Sequence, residues 1–330
     1  MQTPSSTPRT LGRTGRSVSP VGLGTWQLGA DWGDVEESEA LAVLEAAVEA
    51  GTTFLDTADV YGDGRSETVI GTFLAQHPGL DVTVATKMGR RGPQEAGEFT
   101  LENFRAWTDR SRANLGVDRL DLVQLHCPPS SVMDDDEVYD ALDTLVDDGA
   151  IAAYGVSVET CAEALDAIRR PHTASVQIIL NAFRLKPLDE VLPAAREAGV
   201  GIIARVPLAS GLLSGRYTSD TTFAENDHRT FNRKGEAFDV GETFSGVDFE
   251  DGVKAAQEFA RLAGDTPPSA AAIAWVAAQD GVTTVIPGAR NTEQARANAA
   301  AMQVVLDQGL DDGVHELYDR YFREAVHGRW

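Results

Sequence analysis

Four polar side chains lie at the ends of three successive hydrophobic segments, at spacings typical of a repeating strand–helix unit. Asp56 and Tyr61 belong to FLDTADVYG, Lys87 to VTVATKMG and His126 to DLVQLHCPP. Lys87 follows Asp56 by 31 residues and His126 follows Lys87 by 39, and a strand–helix–strand unit needs roughly 30 or more residues. We therefore expect all four at the carboxyl-terminal rim of a parallel barrel, where such barrels carry out their chemistry.

An acid, a phenol, an ammonium and an imidazole in one place indicate a site for proton transfer. Asp56 is the expected counter-ion for Lys87, because a buried lysine is costly unless it is paired. The ammonium should lower the pKa of Tyr61 from about 10, and His126 would donate to the same substrate oxygen or relay the proton. The arrangement suits protonation of a carbonyl oxygen while a hydride reaches its carbon. Singly, Asp56 and Lys87 could be a structural ion pair and His126 a core histidine, but their coincidence at three strand ends favours catalysis.

The elements that would position these groups alternate along the chain. Eight strand segments run from VGLG to VTTVIPG, with seven helical regions between them. This count predicts an α/β fold, a (β/α)8 TIM barrel formed by one domain over residues 1–330. An N-terminal β-hairpin precedes the barrel, Ser66 is the expected N-cap of the second helix, and a terminal helix would end in a mobile Trp330.

One connection is far longer than the others. The polar stretch over residues 216–249 follows strand seven and is too long for an ordinary loop. Since it leaves the catalytic rim, we predict a long loop that covers the cofactor or the substrate. A disordered insertion is the alternative interpretation.

Composition excludes several classes of protein. The net charge of −23 argues against nucleic-acid and anionic-membrane partners, and no hydrophobic run approaches the roughly 18 residues of a membrane helix. Two cysteines give no disulfide framework, and the N-terminus lacks a secretory signal, so a cytoplasmic location is expected. Cys127, beside His126, is interpreted as a small packing residue and not as a nucleophile.

A hydride donor must bind somewhere on the protein, but the usual dinucleotide-binding motif is missing. GLGTWQ begins like G-x-G-x-x-G but has Gln27 in place of the third glycine. The segments PLASGLLSGR, after strand seven, and IPGARNTEQARAN, after strand eight, are better candidates, because a barrel commonly binds phosphate there. Arg290 could clamp a phosphate with two hydrogen bonds.

At these residues the chain resembles the aldo-keto reductase superfamily, in particular its bacterial-type members. LDTADVYGDGRSE, ATKMG, DLVQLH, GVS, PLASGLLSG and IPGARNTEQARAN occur in the family's order. The resemblance implies a catalytic tetrad of Asp56, Tyr61, Lys87 and His126, with Tyr61 as the proton donor and NADPH as the cofactor.

The resemblance also assigns binding residues. Ser157 and Gln177 would hold the nicotinamide carboxamide, and Arg290 would contact the adenosine 2′-phosphate. The complete set of predicted cofactor contacts is Gly24, Thr25, Trp26, Ser157, Gln177, Arg205, Pro207, Leu208, Ser210, Gly211, Leu213, Ser214, Gly288, Arg290, Gln294 and Asn298. The predicted substrate pocket is formed by Trp26, Trp32, Tyr61, Met88 and His126.

Two residues depart from the family's common pattern. Val158 follows Ser157 where an asparagine is common, which removes one amide contact to the carboxamide. Arg205 stands where many members stack a tyrosine on the nicotinamide, and a guanidinium plane can stack in the same way.

The leading hypothesis is therefore an NADPH-dependent reductase of small-molecule aldehydes or ketones, expected to be a monomer and to need no metal. The alternative from another class is a non-catalytic or slow NADPH-binding sensor or regulatory subunit. A third hypothesis, an isomerase or lyase that uses Lys87 as a Schiff-base amine, is disfavoured because Asp56 would keep that amine charged. Metal-dependent hydrolysis is not expected, since His126 has no second histidine at ligand spacing.

Overall fold

A computed structural model describes residues 6–29, 35–225, 227–237 and 239–330. Within them an eight-stranded parallel sheet forms the centre of the molecule, and an antiparallel hairpin of β1 (Arg9–Thr10) and β2 (Ser17–Val18) precedes it. The sheet strands, in chain order, are β3 (Leu23–Gly24), β4 (Phe54–Asp56), β5 (Thr83–Met88), β6 (Leu122–His126), β7 (Tyr154–Ser157), β8 (Ser175–Ile179), β9 (Gly201–Arg205) and β10 (Val282–Val285).

The sheet closes into a barrel where its first and last strands meet. Each strand pairs in parallel with its sequence neighbour, and the amide groups of Gly22 and Gly24 donate to the carbonyl oxygens of Val285 (2.8 Å) and Pro287 (3.1 Å). Closure removes the exposed sheet edge. The predicted (β/α)8 barrel with its N-terminal hairpin is thus confirmed.

The hairpin closes the amino-terminal end of the barrel. Its Leu11 and Val18 are fully buried and belong to one hydrophobic cluster with barrel residues such as Phe54 and Ile203. Gly12 makes this fit possible: it has φ +48°, and a Cβ there would lie 2.0 Å from the carbonyl oxygen of Ala174. The opposite, carboxyl-terminal rim is the end that remains for binding.

The described residues form twelve α-helices, most of which cover the outside of the barrel and bury one face of each strand. They are α1 (Glu37–Glu49), α2 (Arg65–Gln76), α3 (Leu101–Leu115), α4 (Asp136–Asp147), α5 (Cys161–Arg169), α6 (Val191–Ala198), α7 (His228–Phe231), α8 (Phe249–Ala263), α9 (Pro268–Ala278), α10 (Thr292–Ala300), α11 (Gln308–Tyr321) and α12 (Arg323–Val326).

Local hydrogen bonds explain where several helices begin. The Thr100 side chain accepts from the amide of Asn103 at the start of α3, and Thr160 and Glu163 form a reciprocal capping box at the start of α5. The prediction that Ser66 caps α2 is wrong. Gly64 occupies the cap position, and the Ser66 hydroxyl is buried between Thr25 and Thr57 instead.

The long connection after β9 crosses the carboxyl-terminal rim, as predicted. It contains the short helix α7 and two 3-10 turns, Val240–Glu242 and Phe244–Gly246. Glu242 from this connection contacts Arg205 at the end of β9. The described part of the connection is therefore packed onto the barrel, which contradicts the alternative of a disordered insertion.

The end of the sequence is also packed, and the expectation of a mobile Trp330 is wrong. Trp330 is 5% exposed, and its indole N–H donates to Oδ1 of Asp239 at 3.0 Å. The Arg184 guanidinium lies 4.2 Å from the centroid of its ring. The partners of Trp330 lie in distant segments of the chain. The residues next to it in the sequence are polar, so they did not indicate that it is buried.

Among the described residues, none of the helices combines the length and the apolar character that crossing a membrane requires.

We predict that Gly155→Ala lowers the free energy of unfolding by about 1–3 kcal/mol, the usual cost of overpacking a core. A Cβ at this β7 position would lie 2.3 Å from Oγ and 2.6 Å from the carbonyl oxygen of Ser175 on β8. Urea unfolding followed by circular dichroism measures the change. Gly97→Ala is the matched control, because Gly97 is exposed and has no atom within 4 Å of a built Cβ. Equal unfolding midpoints for the two variants would contradict this account of the barrel packing.

Candidate active site

The four residues singled out by their spacing converge at the carboxyl-terminal rim. Asp56 ends β4, His126 ends β6, Lys87 lies near the end of β5, and Tyr61 lies in the loop after β4. The Lys87 ammonium donates to Oδ1 of Asp56 (2.6 Å) and to the Tyr61 hydroxyl (3.2 Å). The Tyr61 and His126 rings meet edge to face, with centroids 5.9 Å apart. The structure therefore assembles a phenol, an ammonium and an imidazole around one small volume.

Two amide side chains fix the second oxygen of Asp56. Gln177 on β8 donates to Oδ2 at 2.7 Å, and Gln124 on β6 donates to the same oxygen at 3.3 Å. Gln177 also donates to the amide oxygen of Gln124 at 3.2 Å. The carboxylate is thus held from both sides inside the barrel, and this inner role of Gln124 was not predicted from the sequence.

Lys87 is held as a cation. Burial alone would lower its pKa, but the Asp56 carboxylate and the Tyr61 phenol outweigh burial and raise the pKa above its ordinary value. A permanently charged amine is a poor nucleophile. The electrostatics therefore weigh further against a Schiff-base role for Lys87.

The direction of the Tyr61 pKa differs from the prediction. Lys87 does lower this pKa, as expected, but burial of the phenol is the larger effect and the net pKa is raised. Tyr61 therefore keeps its proton at neutral pH, which is the state that a proton donor requires.

His126 is neutral. Burial lowers its pKa well below the usual value, and the cations of Arg90, Lys87 and Arg205 lower it further. Its Nε2 lies 3.5 Å from Nη1 of Arg90, so the side of the ring that faces the rim is in an electropositive environment. A neutral imidazole there can hydrogen-bond a substrate oxygen without adding a second charge next to Lys87.

Four charged side chains form a group beside this centre, which we call the rim cluster: Arg90, Glu159, Arg205 and Glu242. Arg205 lies 2.9 Å from a Glu159 oxygen and 3.8 Å from a Glu242 oxygen, and Arg90 lies 3.3 Å from the same Glu242 oxygen. Burial raises the pKa of Glu159. Burial has the same tendency at Glu242, but Arg205 and Arg90 outweigh it and lower that pKa.

The rim cluster lies beside the Cys127 thiol, and its charges bear on the role of that thiol. Ligand atoms of Cys127, Glu159 and Glu242 lie within 4.8 Å of one another, a spacing that a metal ion could bridge. Arg205 already supplies the positive charge between them, and burial raises the pKa of the Cys127 thiol. Metals and electrophiles both need the thiolate. These features favour an ion-pair cluster over a metal centre, and a packing role for Cys127 over a nucleophilic one.

The loop after β9, predicted to bind phosphate, has an unusual backbone. Ala209, Ser210 and Gly211 have φ values of 46°, 54° and 97°, and successive residues of this kind turn their amide groups toward a common side. The Ser210 hydroxyl donates to the Glu242 carbonyl and accepts from the Phe244 amide, both at 3.0 Å. This loop is thereby joined to the long connection that crosses the rim.

The second predicted phosphate segment leads into α10. Asn291 caps that helix by accepting from the Gln294 amide, Gln294 accepts from the Arg290 amide at 2.9 Å, and Asn298 donates to the Gly288 carbonyl at 3.0 Å. Arg290 is exposed. A helix amino terminus next to an exposed arginine is a suitable environment for an anion.

The remaining predicted cofactor residues lie on the same rim. Gly24 pairs with Asp56 in the sheet. Thr25 is fully buried, and its hydroxyl donates to the Asp56 carbonyl at 2.9 Å. Ser157 ends β7 and Arg205 ends β9. Pro207, Leu208, Leu213 and Ser214 belong to the loop that follows β9.

The structure corrects one residue of the predicted substrate pocket. Trp26 stacks near Tyr61, with centroids 6.1 Å apart, and near His228 at 5.4 Å. Met88 is 1% exposed and accepts a hydrogen bond from Thr108 of α3, so the prediction that it lines the pocket is wrong. It follows Lys87 directly and so faces the helix layer, since strand side chains alternate. Trp32 lies outside the described residues.

Arg90, Glu159, Glu242 and His228 are the rim residues that sequence reasoning missed. Arg90 had a local signal, since it lies three residues after Lys87. Glu242 and His228 had none, because their placement depends on how the long connection folds back over the barrel.

Asp59 is a further buried acid behind the tetrad. It is 1% exposed, and its amide donates to the Lys87 carbonyl at 3.2 Å. Among the described residues its Oδ1 has no hydrogen-bond partner. Burial and, next, the nearby Glu67 raise its pKa to about 7.

Comparison with known proteins adds independent findings. A family model described as the aldo/keto reductase family matches residues 20–312. The chain is 28% identical over 300 residues to an uncharacterized oxidoreductase, YqkF, of Bacillus subtilis, covering 89% of this chain and 90% of that protein. It is 28% identical to the aldo-keto reductase yakc [NADP(+)] of Schizosaccharomyces pombe over 92% of this chain and 89% of that one. The solved glycerol dehydrogenase AKR11B4 of Gluconobacter oxydans superposes with a TM-score of 0.78 and 29% identity, covering 96% of each chain.

We predict that Asp59→Asn stabilises the protein above pH 7 and has little effect below about pH 4. In the wild type the raised pKa favours folding only while Asp59 is protonated, so this stability is lost as pH rises from about 4 through about 7. A shift of this size corresponds to at most about 4 kcal/mol. The free energy of unfolding, measured by urea titration at several pH values, tests it.

Asp81→Asn is the matched control, because the Asp81 side chain is exposed. Parallel pH profiles for the wild type and Asp59→Asn would show that Asp59 does not take up a proton on folding.

Proposed function

Because the chain belongs to the aldo/keto reductase family, we propose that it reduces aldehydes or ketones to alcohols with NADPH as the hydride donor and Tyr61 as the proton donor. The observation that carries the proposal is the single Lys87 ammonium shared between Asp56 and the Tyr61 hydroxyl. NADPH, when bound, supplies the hydride. The name of the yeast relative, which includes NADP(+), supports this choice of cofactor.

The residues on the rim fit such a cofactor. Ser157 and Arg205 end β7 and β9, Gln177 lies within β8 between them, and these three residues would hold the nicotinamide end. The left-handed turn at Ser210 and Gly211 would direct the Ser210 amide toward a phosphate, while the Gly211 amide donates within the turn to the Leu208 carbonyl at 2.9 Å. Arg290 lies just before α10, Gln294 and Asn298 lie within it, and these three residues would hold the adenosine end. In a protein with a net charge of −23, these local donors are what allows an anionic cofactor to bind.

The substrate carbonyl oxygen would lie between Tyr61 and His126. Neutral His126 donates a hydrogen bond that polarises the carbonyl. As negative charge grows on the oxygen, the Tyr61 hydroxyl gives up its proton to it. Lys87 then lies 3.2 Å from the phenolate that remains and stabilises it. Asp56, fixed by Gln177 and Lys87, keeps the ammonium in place throughout.

We expect Tyr61→Phe to reduce the turnover of a reactive aldehyde such as 4-nitrobenzaldehyde about 10²–10⁴-fold, the usual contribution of a general acid. The affinity for NADPH should change little, because only the phenolic oxygen is removed. Loss of NADPH absorbance measures the rate, and fluorescence titration measures binding. Tyr321→Phe is the matched control, since that hydroxyl binds Glu258 on the outer helices.

A Tyr61→Phe enzyme that retains the wild-type rate would rule out Tyr61 as the acid. A wild-type protein that binds NADPH but reduces none of a panel of carbonyls would favour the regulatory-subunit alternative.

Arg290→Ala should raise KM for NADPH about 10–100-fold and leave KM for NADH nearly unchanged, because a charged hydrogen bond to the 2′-phosphate is worth roughly 1.5–3 kcal/mol. Steady-state kinetics with both cofactors measures the preference. Arg296→Ala is the control, because Arg296 lies nearby on α10 but pairs with Glu49, 3.2 Å away. Equal effects of Arg290→Ala on both cofactors would contradict the assignment of Arg290 to the 2′-phosphate.

A further inference from the structure

Trp330, the last residue of the sequence, packs against the turn at residues 239–246 of the connection that crosses the rim. Its indole N–H donates to Asp239 at 3.0 Å, and the Arg184 guanidinium covers its ring at 4.2 Å. Arg184 also donates to the Glu159 carbonyl. The ring is therefore held between the turn and a residue already joined to the rim cluster.

The turn is shaped to accept this ring. A Cβ at Gly241 would lie 2.9 Å from the Trp330 ring and 2.2 Å from the Arg184 guanidinium, and a Cβ at Gly246 would lie 2.3 Å from the ring. Larger residues at these two positions would displace the indole. Two separate glycines thus leave the space that one tryptophan fills.

The same turn carries Glu242 into the active site. Glu242 is the shared partner of Arg90 and Arg205, at 3.3 and 3.8 Å, and Arg90 lies 3.5 Å from Nε2 of His126. The two guanidinium groups repel each other, so without a carboxylate between them their side chains would separate. The position of Glu242 therefore controls where Arg90 lies relative to the catalytic imidazole.

We propose that Trp330 is a positioning residue for the active site, which fixes the turn at residues 239–246 so that Glu242 holds Arg90 and Arg205 beside His126. The kinetic consequence rests on the proposed carbonyl reduction. Tyr61, Lys87 and Asp56 have no hydrogen bond to the turn among the described residues, so the proton-donating group itself should survive loss of Trp330. The contacts that receive the substrate should be weakened.

Trp330→Ala is expected to raise KM for 4-nitrobenzaldehyde about 10-fold at saturating NADPH, equivalent to about 1.4 kcal/mol, with kcat within about 3-fold of wild type. Trp330→Phe should recover most of the loss, because its ring still lies between Gly241 and Gly246 although the bond to Asp239 is gone. Leu310→Ala, a buried substitution in α11, is the control for a general loss of stability.

A double-mutant cycle separates positioning from a merely structural role. Glu242→Gln should reproduce the rise in KM, and the double variant Trp330→Ala/Glu242→Gln should be no worse than the more affected single variant, because both act through the same contact. Additive effects, or an equal rise in KM for Leu310→Ala, would overturn the proposal.

Hydrogen–deuterium exchange supplies a readout that does not depend on turnover. Trp330→Ala should speed exchange both in residues 239–246 and in the segment around Arg90, whereas Leu310→Ala should not affect the Arg90 segment. If the wild type shows no turnover, the proposed function fails while this exchange pattern still supports the positioning role. Unchanged exchange around Arg90 in Trp330→Ala would overturn it.

Discussion

A lysine in the barrel interior must keep its charge satisfied, and much of the active site follows from that requirement. The Lys87 and Asp56 side chains are almost completely buried, and their charged atoms are 2.6 Å apart. Removing one partner of such a pair typically costs about 3–5 kcal/mol, because it leaves an unpaired buried charge. Strands β4 and β5 are therefore tied together at the rim, and Gln177 from β8 fixes the carboxylate from the other side of the barrel.

The same pair gives Tyr61 its chemical character. The ammonium alone would favour the phenolate, but the buried phenol keeps its proton in the free protein. In the proposed reaction, a substrate oxygen that becomes negative during hydride transfer would change this balance, because it would have a higher affinity for the proton than the phenol has. Lys87 would then stabilise the phenolate that forms. In this proposal its effect would be largest in the transition state, where catalysis requires it.

Around this centre, an acidic protein concentrates positive charge. Arg90 and Arg205 lie beside the tetrad, and Glu242 and Glu159 restrain them. Glu242 comes from the long connection after β9, and Trp330 packs against the same turn. The rim is therefore assembled from segments far apart in the sequence, and its geometry depends on how the long connection docks.

Local patterns in the sequence were enough to predict the barrel and the residues proposed to be catalytic. The length of each hydrophobic segment sets where its strand ends, and the repeat brings the ends of neighbouring strands to one rim. Asp56, Lys87 and His126 could be assigned in this way. Tertiary packing alone sets the pairing of Arg90 with Glu242, 152 residues away, and the burial of Trp330 against Asp239, 91 residues away. Tertiary packing also determines that the pKa of Tyr61 is raised and that the Met88 side chain points outward. Both the desolvation of a group and the orientation of a side chain depend on the atoms packed around it and not on its sequence neighbours.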